Sequence, residues 1–179
     1  MITSDHGGGW GTGMERKSIA DYLPKVSRGT RMNSDPKREV LRHLLSTVRF
    51  RGSVAIGDAP EGFADFRAAG STRSAGELLA HIGDLIAGSH FLLKGEYVEL
   101  ATEPLPWEAE KTRFRDSLKE LDGFLASDAP LAYPVEKFVQ GPIGDALTHV
   151  GQIVLLRRMA GFPIEPVSYF TAEIVPGED

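Results

Sequence analysis

The sequence predicts an all-α protein built as a four-helix bundle, and three observations predict it. Four segments repeat apolar residues at three- and four-residue spacing, helix start and stop signals bracket several of them, and no convincing run alternates as a half-buried strand would. At 179 residues and 41% hydrophobic content the chain can bury one full core, so a single bundle domain is expected over 34–179, preceded by an arm over 1–33.

The arm comes first. Residues 1–13 are rich in glycine with Thr, Ser and Asp, a composition that buries too little apolar surface to offset the entropy of ordering, so a flexible segment is predicted. Beyond Met14, the residues Ser18, Ile19, Tyr22 and Leu23 are compatible with one short helix packed on the body.

The first long helix should open at Asp35 and Pro36, because Asp is a good N-cap and the missing N–H of proline costs nothing at the first helical position. Val40, Leu41, Leu44, Leu45 and Val48 supply its apolar stripe. A long connection is predicted from Arg51 to Arg73, punctuated by glycines and Pro60, with a turn of helix around Phe63 and Phe66.

Ser74 and Glu77 stand at capping-box spacing and mark the start of the second helix, whose buried face comprises Leu78, Ile82, Leu85, Ile86 and Leu92. A linker near Pro104 and Pro106 leads to the third, where Phe114, Leu118, Leu121 and Leu125 recur at helical spacing. The fourth begins after Gly141 and Pro142 and runs to about Ala160, with Gly161 as its stop, Pro163 just beyond, and Arg157 and Arg158 complementing the dipole of its last turns. The tail from Ile164 to Asp179 carries Val167, Tyr169, Phe170, Ile174 and Val175, a run suited to lying extended across the bundle.

Composition narrows the function. The net charge of -5 arises from 25 acidic and 20 basic residues spread along the chain, without the basic cluster that a phosphate backbone demands, so nucleic acid is a poor partner. The absence of cysteine excludes disulfides, thiolate ligands and a cysteine nucleophile. No secretory signal pattern stands at the N-terminus and no window approaches the ~18–20 apolar residues of a membrane span, so a cytoplasmic protein with no membrane partner is expected.

Of the five histidines, His81 and His149 have unusual neighbours. His81 lies on or beside the apolar face formed by Leu78, Ile82 and Leu85. Asp145 and His149 are four residues apart and stack on one helix face, with Gln152, Ile153 and Leu156 next along it. Two imidazoles and a carboxylate suit zinc, nickel, iron or manganese, and three ligands leave coordination positions open, as catalytic sites do. Plainer readings exist: a core histidine with one hydrogen bond for His81, and a helix-start acid or an i, i+4 ion pair with His149 for Asp145. Asp84 and Gln152 are candidates to orient the ligands or assist the chemistry, and Asp84 is equally suited to a nearby basic partner. His43 belongs at the core or boundary of the first helix, His90 faces away from His81, and His6 lies in the arm.

The stretch from Ser74 to Leu85, reading SAGELLAHIGDL, resembles the second-helix signature of the DinB/YfiT-like family of metalloenzymes. The stretch His149-Val150-Gly151-Gln152-Ile153, followed by Leu156-Arg157-Arg158-Met159-Ala160-Gly161, resembles the fourth-helix signature of the same family, and the likeness covers roughly residues 35–162. The resemblance implies a DinB/YfiT-like bundle with metal ligands at His81, Asp145 and His149. It also marks a departure, since family members usually carry histidine where this chain has Asp145.

Two functions follow as expectations. One is a divalent-metal-dependent enzyme, a thiol-dependent transferase or isomerase or a hydrolase, acting on a small-molecule substrate through a metal-activated water or an external low-molecular-weight thiol. Zinc or nickel is the expected metal, with iron or manganese as alternatives, and a homodimer is implied by the resemblance. The other is a non-catalytic ligand-binding or stress-response bundle whose metal site is degenerate, which the Asp145 departure favours. Neither reading assigns a catalytic residue beyond the ligands.

Overall fold

The computed structural model describes residues 35–60, 62–100 and 103–177, and every regular element among them is helical. The short helix expected around Ile19 and Leu23 lies outside the described residues. The elements in chain order are α1 (Pro36–Ile56), a 3₁₀ turn (Phe63–Asp65), α2 (Ala75–Leu93), α3 (Trp107–Ala126), a short α4 (Val135–Phe138), a π-helical segment (Val139–Ile143) and α5 (Gly144–Met159). No helix among the described residues is long and apolar enough to cross a membrane.

Local chemistry sets the helix starts as the sequence predicts. The Asp35 carboxylate accepts from the Lys37 backbone N–H at 2.9 Å, with Pro36 at the first helical position. At α2 the box is closed in both directions: the Glu77 carboxylate accepts from Ser74 N–H at 2.6 Å, and Ser74 Oγ accepts from Glu77 N–H at 3.3 Å.

Side-chain contacts fix the topology. Asp122 accepts a two-pronged pairing from Arg42, and Gly52 lies against Phe114, so α1 and α3 run antiparallel. Arg157 near the end of α5 donates to the Ala55 carbonyl near the end of α1, which makes those two helices parallel. Asp84 meets Arg113 and His90 meets Glu120, so α2 and α3 are parallel as well. The result is an up-down-down-up bundle in which α1 and α2 each pack on α3 and α5 and stand diagonally opposed. Parallel neighbours require long connections, and the described parts of this one, 94–100 and 103–106, return along α2 before α3 begins.

The core contains the apolar residues predicted for each helix, including Leu41, Leu45 and Val48, Leu78, Ile82 and Ile86, Phe114, Leu118, Leu121 and Leu125, and Ile153 and Leu156. Val40 is a correction, since it is 64% exposed. The buried line on α1 runs Leu41, Leu45, Val48, Gly52 and Ala55, and Val40 lies a hundred degrees round from Leu41. His43 is exposed for the same reason, so its expected core or boundary position is also corrected.

Two further boundaries differ from expectation. Helix α1 continues through Arg51–Ile56, because Gly52 is the point where the Phe114 ring packs against the backbone: a Cβ there would sit 2.3 Å from Phe114 Cζ. The turn around Phe63 is present, and its ring meets Trp107 and Phe162 edge-on. The fourth helix is preceded by α4 and the π-helical segment, which contains Pro142 and bends at Gly141, where φ and ψ are -105° and -110°. Pro142 supplies no N–H to close the preceding turn, and the opened backbone ends at Ile143, immediately before α5 begins at Gly144. The tail lies along α1 without strand pairing, with the Tyr169 ring edge-on to Phe50 and beneath the Arg51 guanidinium at 4.0 Å.

Candidate metal centre

Antiparallel packing of α2 on α5 brings the second turn of one helix to the first turns of the other. His81 therefore faces Asp145 and His149, and the three residues offer ligand atoms that all lie within 4.8 Å of one another. Among the described residues this is the one cluster of three or more histidine and carboxylate side chains able to share an ion. The two imidazole rings meet edge-to-face with centroids 4.9 Å apart.

The geometry around Asp145 is specific. Its Oδ1 lies 3.4 Å from His149 Nε2 and its Oδ2 lies 3.7 Å from His81 Nε2, so the carboxylate sits between the rings, one oxygen toward each. Neither contact is a hydrogen bond, and no donor among the described residues hydrogen-bonds this carboxylate. His149 Nδ1 lies 2.8 Å from Gln152 Oε1. With that oxygen as acceptor, Nδ1 carries the proton and Nε2 presents a lone pair to Asp145. Two electron-rich atoms then face each other across 3.4 Å, an arrangement that a shared cation relieves.

Donor spacing supports the same chemistry. Nitrogen and oxygen ligands at about 2.1 Å from a tetrahedral cation are roughly 3.4 Å apart. The separation from Asp145 Oδ1 to His149 matches this, that from Asp145 Oδ2 to His81 exceeds it slightly, and the three ligand atoms as a set lie within 4.8 Å, so they draw together by small side-chain shifts on binding an ion. The group could hold a metal ion, and its donor set does not name which one.

Electrostatics favours the ligand form of His81. Burial lowers its pKa below the ordinary histidine value, the positive charge of Arg73 and the proximity of the second ring add to this, and Asp145 and Asp84 pull in the opposite direction. Its side chain is 30% exposed and that of Asp145 47%, whereas His149 is nearly closed off at 11%. The centre thus opens on the His81 and Asp145 side, into a cleft of about 720 Å³ between α2, the bend at Gln140–Pro142 and residues 97–100 of the returning connection.

Gln152 stands within hydrogen-bond distance of the His149 ring, one turn along the helix. Asp84 lies in the cleft wall with Arg113 Nη1 2.7 Å from its Oδ1, which is the basic-partner reading of that residue. Arg113 itself is a residue that sequence reasoning missed. It crosses α2 over Gly83, donates to the Ala80 carbonyl at 2.7 Å and to Glu110 at 2.9 Å, and so clamps the turn that carries His81. Glu110 also accepts from the Leu105 N–H at 2.8 Å, tying the connection to α3. The i, i+3 spacing of Glu110 and Arg113 was the available signal. His90 faces α3, against Phe124, away from the centre as expected. Arg157 is 2% exposed and donates to the carbonyls of Ala55 and Phe162, a structural cap holding α1 and the start of the tail.

No family model matches the chain, and no match is found among curated proteins or solved structures.

Proposed function

We propose that this protein is a divalent-metal-dependent enzyme of the DinB/YfiT-like kind, in which His81, Asp145 and His149 hold one cation at the mouth of the α2–α5 cleft. The single observation that carries the reading is the Asp145 carboxylate, set between two imidazole Nε2 atoms without a hydrogen-bond donor among the described residues. A cation at that point supplies Lewis acidity, lowering the pKa of a water or a small thiol. The protein residues do the remaining work. His81, Asp145 and His149 fix the position, Gln152 holds the His149 tautomer, and the open cleft admits a small molecule on the His81 side. Zinc or nickel is the metal we favour for an imidazole and carboxylate set, a homodimer is the assembly that the resemblance implies, and the cytoplasm is the setting we propose for it.

A second reading has an observation in its favour. Protonated imidazoles at 3.4 and 3.7 Å would pair with Asp145 directly, leaving a non-catalytic bundle whose polar cluster is satisfied by ion pairs. Cobalt(II) titration of protein carrying no histidine tag separates the two. We expect one equivalent to bind, and we expect an added low-molecular-weight thiol to produce a thiolate-to-cobalt charge-transfer band. The chain has no cysteine, so the sulfur in such a band is the added thiol's, and its absence from a protein-free cobalt and thiol control places it at the open position. Absence of cobalt binding would favour the ion-pair bundle, and binding without any response to thiol or other small ligands would contradict an open catalytic site.

A further inference from the structure

A second cleft, of about 630 Å³, adjoins the first and shares His81, Asp84 and Leu100 with it. It is bounded by the segment that leads into α2 and by the returning connection at Glu103 and Pro104. Its charges are unevenly matched. Arg67 meets Glu77 at 3.4 Å, Glu77 also accepts from the Ser74 N–H, and Asp84 meets Arg113 at 2.7 Å. Arg73, by contrast, is exposed, lines this cleft beside His81, and has no carboxylate within ion-pair distance among the described residues. Its position is fixed by its neighbour, because Ser74 is the buried N-cap of α2 and begins the capping box.

Resting on the metal-centre reading, we infer that Arg73 is the residue that selects substrate, gripping a carboxylate or phosphate group of an anionic small molecule whose reacting end lies at His81, Asp145 and His149. Two arguments converge on an anion. A divalent cation with one carboxylate ligand leaves a net positive centre, to which Arg73 adds a second positive charge from the adjoining cleft that shares His81. A guanidinium offers a planar fork of donors that matches a carboxylate or phosphate with two parallel hydrogen bonds. Glu103 is the opposing charge in the cleft; it is exposed and makes no ion pair with Arg73, so it trims the positive field without occupying the guanidinium.

The test uses a metal-loaded, tag-free chain and two probes, succinate and its monomethyl ester, which differ by one negative charge. Calorimetric titration of zinc comes first, on the wild type and on Arg73→Gln and Arg73→Lys. We expect equal zinc affinity in all three, since Arg73 is not a ligand. Succinate should then bind the wild type about tenfold or more tighter than the monoester, as a charge-assisted contact implies. Arg73→Gln should erase that preference and Arg73→Lys should retain part of it. Undiminished preference for succinate in Arg73→Gln with zinc affinity intact, or no preference in the wild type, overturns this inference and leaves the metal reading standing. Failure of the wild type to bind zinc overturns both, and the first titration reveals which has failed.

Discussion

Gln152 Oε1 lies 2.8 Å from His149 Nδ1, one helical turn along α5, and this contact decides which nitrogen of the ring faces Asp145. An acceptor at Nδ1 leaves the Nε2 lone pair free for a cation, and loss of such a partner typically weakens metal binding roughly 10- to 100-fold. We therefore predict that Gln152→Leu lowers zinc affinity by that factor while Gln152→Glu, which keeps an acceptor, restores most of it. Gln152 is exposed, so thermal stability of the metal-free protein should hardly change. Equal zinc affinity in Gln152→Leu and wild type would refute the orienting role.

Asp145 has a 47% exposed side chain, so its replacement tests chemistry with little disturbance of packing. Asp145→Ala should abolish zinc binding at micromolar concentrations, and Asp145→His should keep it, because a third imidazole fills the same coordination role. Both variants should melt close to the wild type without metal. Retained tight binding in Asp145→Ala would remove the carboxylate from the ligand set.

Gly52 and Gly151 give opposite outcomes for one substitution. A Cβ at Gly52 would lie 2.3 Å from Phe114, a ring that is fully buried and has nowhere to retreat, so Gly52→Ala should cost about 1–3 kcal/mol of stability. A Cβ at Gly151 meets nothing within 4 Å on the exposed face of α5, so Gly151→Ala should gain about 0.5–1 kcal/mol through helix propensity. Chemical denaturation of the two variants checks both signs, and a neutral Gly52→Ala would mean that α1 and α3 are more loosely packed than described.

His90 supplies a pH dependence away from the metal centre. Burial against α3 lowers its pKa below the usual 6.5, Lys94 adds to this, and Glu120 and Glu96 oppose it. The unfolded chain therefore takes up the proton first as pH falls. The associated stability is fully present above about 6.5, the ordinary histidine value, and is lost as pH drops below it toward the folded-state pKa. His90→Gln should flatten the fall in denaturation free energy over that interval in metal-free protein. A curve parallel to the wild type would show that His90 does not contribute to it.

The sequence carried the helices most clearly where the signal was local. The Ser74–Glu77 box and the Asp35 cap are formed by side chains within three residues of the backbone groups they satisfy, so spacing alone predicted them. The convergence of His81 on Asp145 and His149 was also legible, as two helix faces plus a resemblance. The diagonal placement of α1 and α2 was not, because it depends on contacts such as Arg42–Asp122 and Arg157–Ala55 between residues 80 and 102 positions apart. The same holds for Arg113, whose partners Asp84 and Ala80 lie on another helix. Arg51–Ile56 read as a connection because Gly52 weakens helix propensity, and only the Phe114 ring shows why glycine is needed inside α1.

The most direct test of the metal centre is an anomalous difference map from crystals of the tag-free protein soaked in zinc, recorded at the zinc edge. The account predicts one strong peak at about 2.0–2.2 Å from the Nε2 atoms of His81 and His149 and from an Asp145 oxygen, with at least one position open toward the cleft. A map with no peak between α2 and α5, or with zinc held only by surface residues elsewhere, would contradict it.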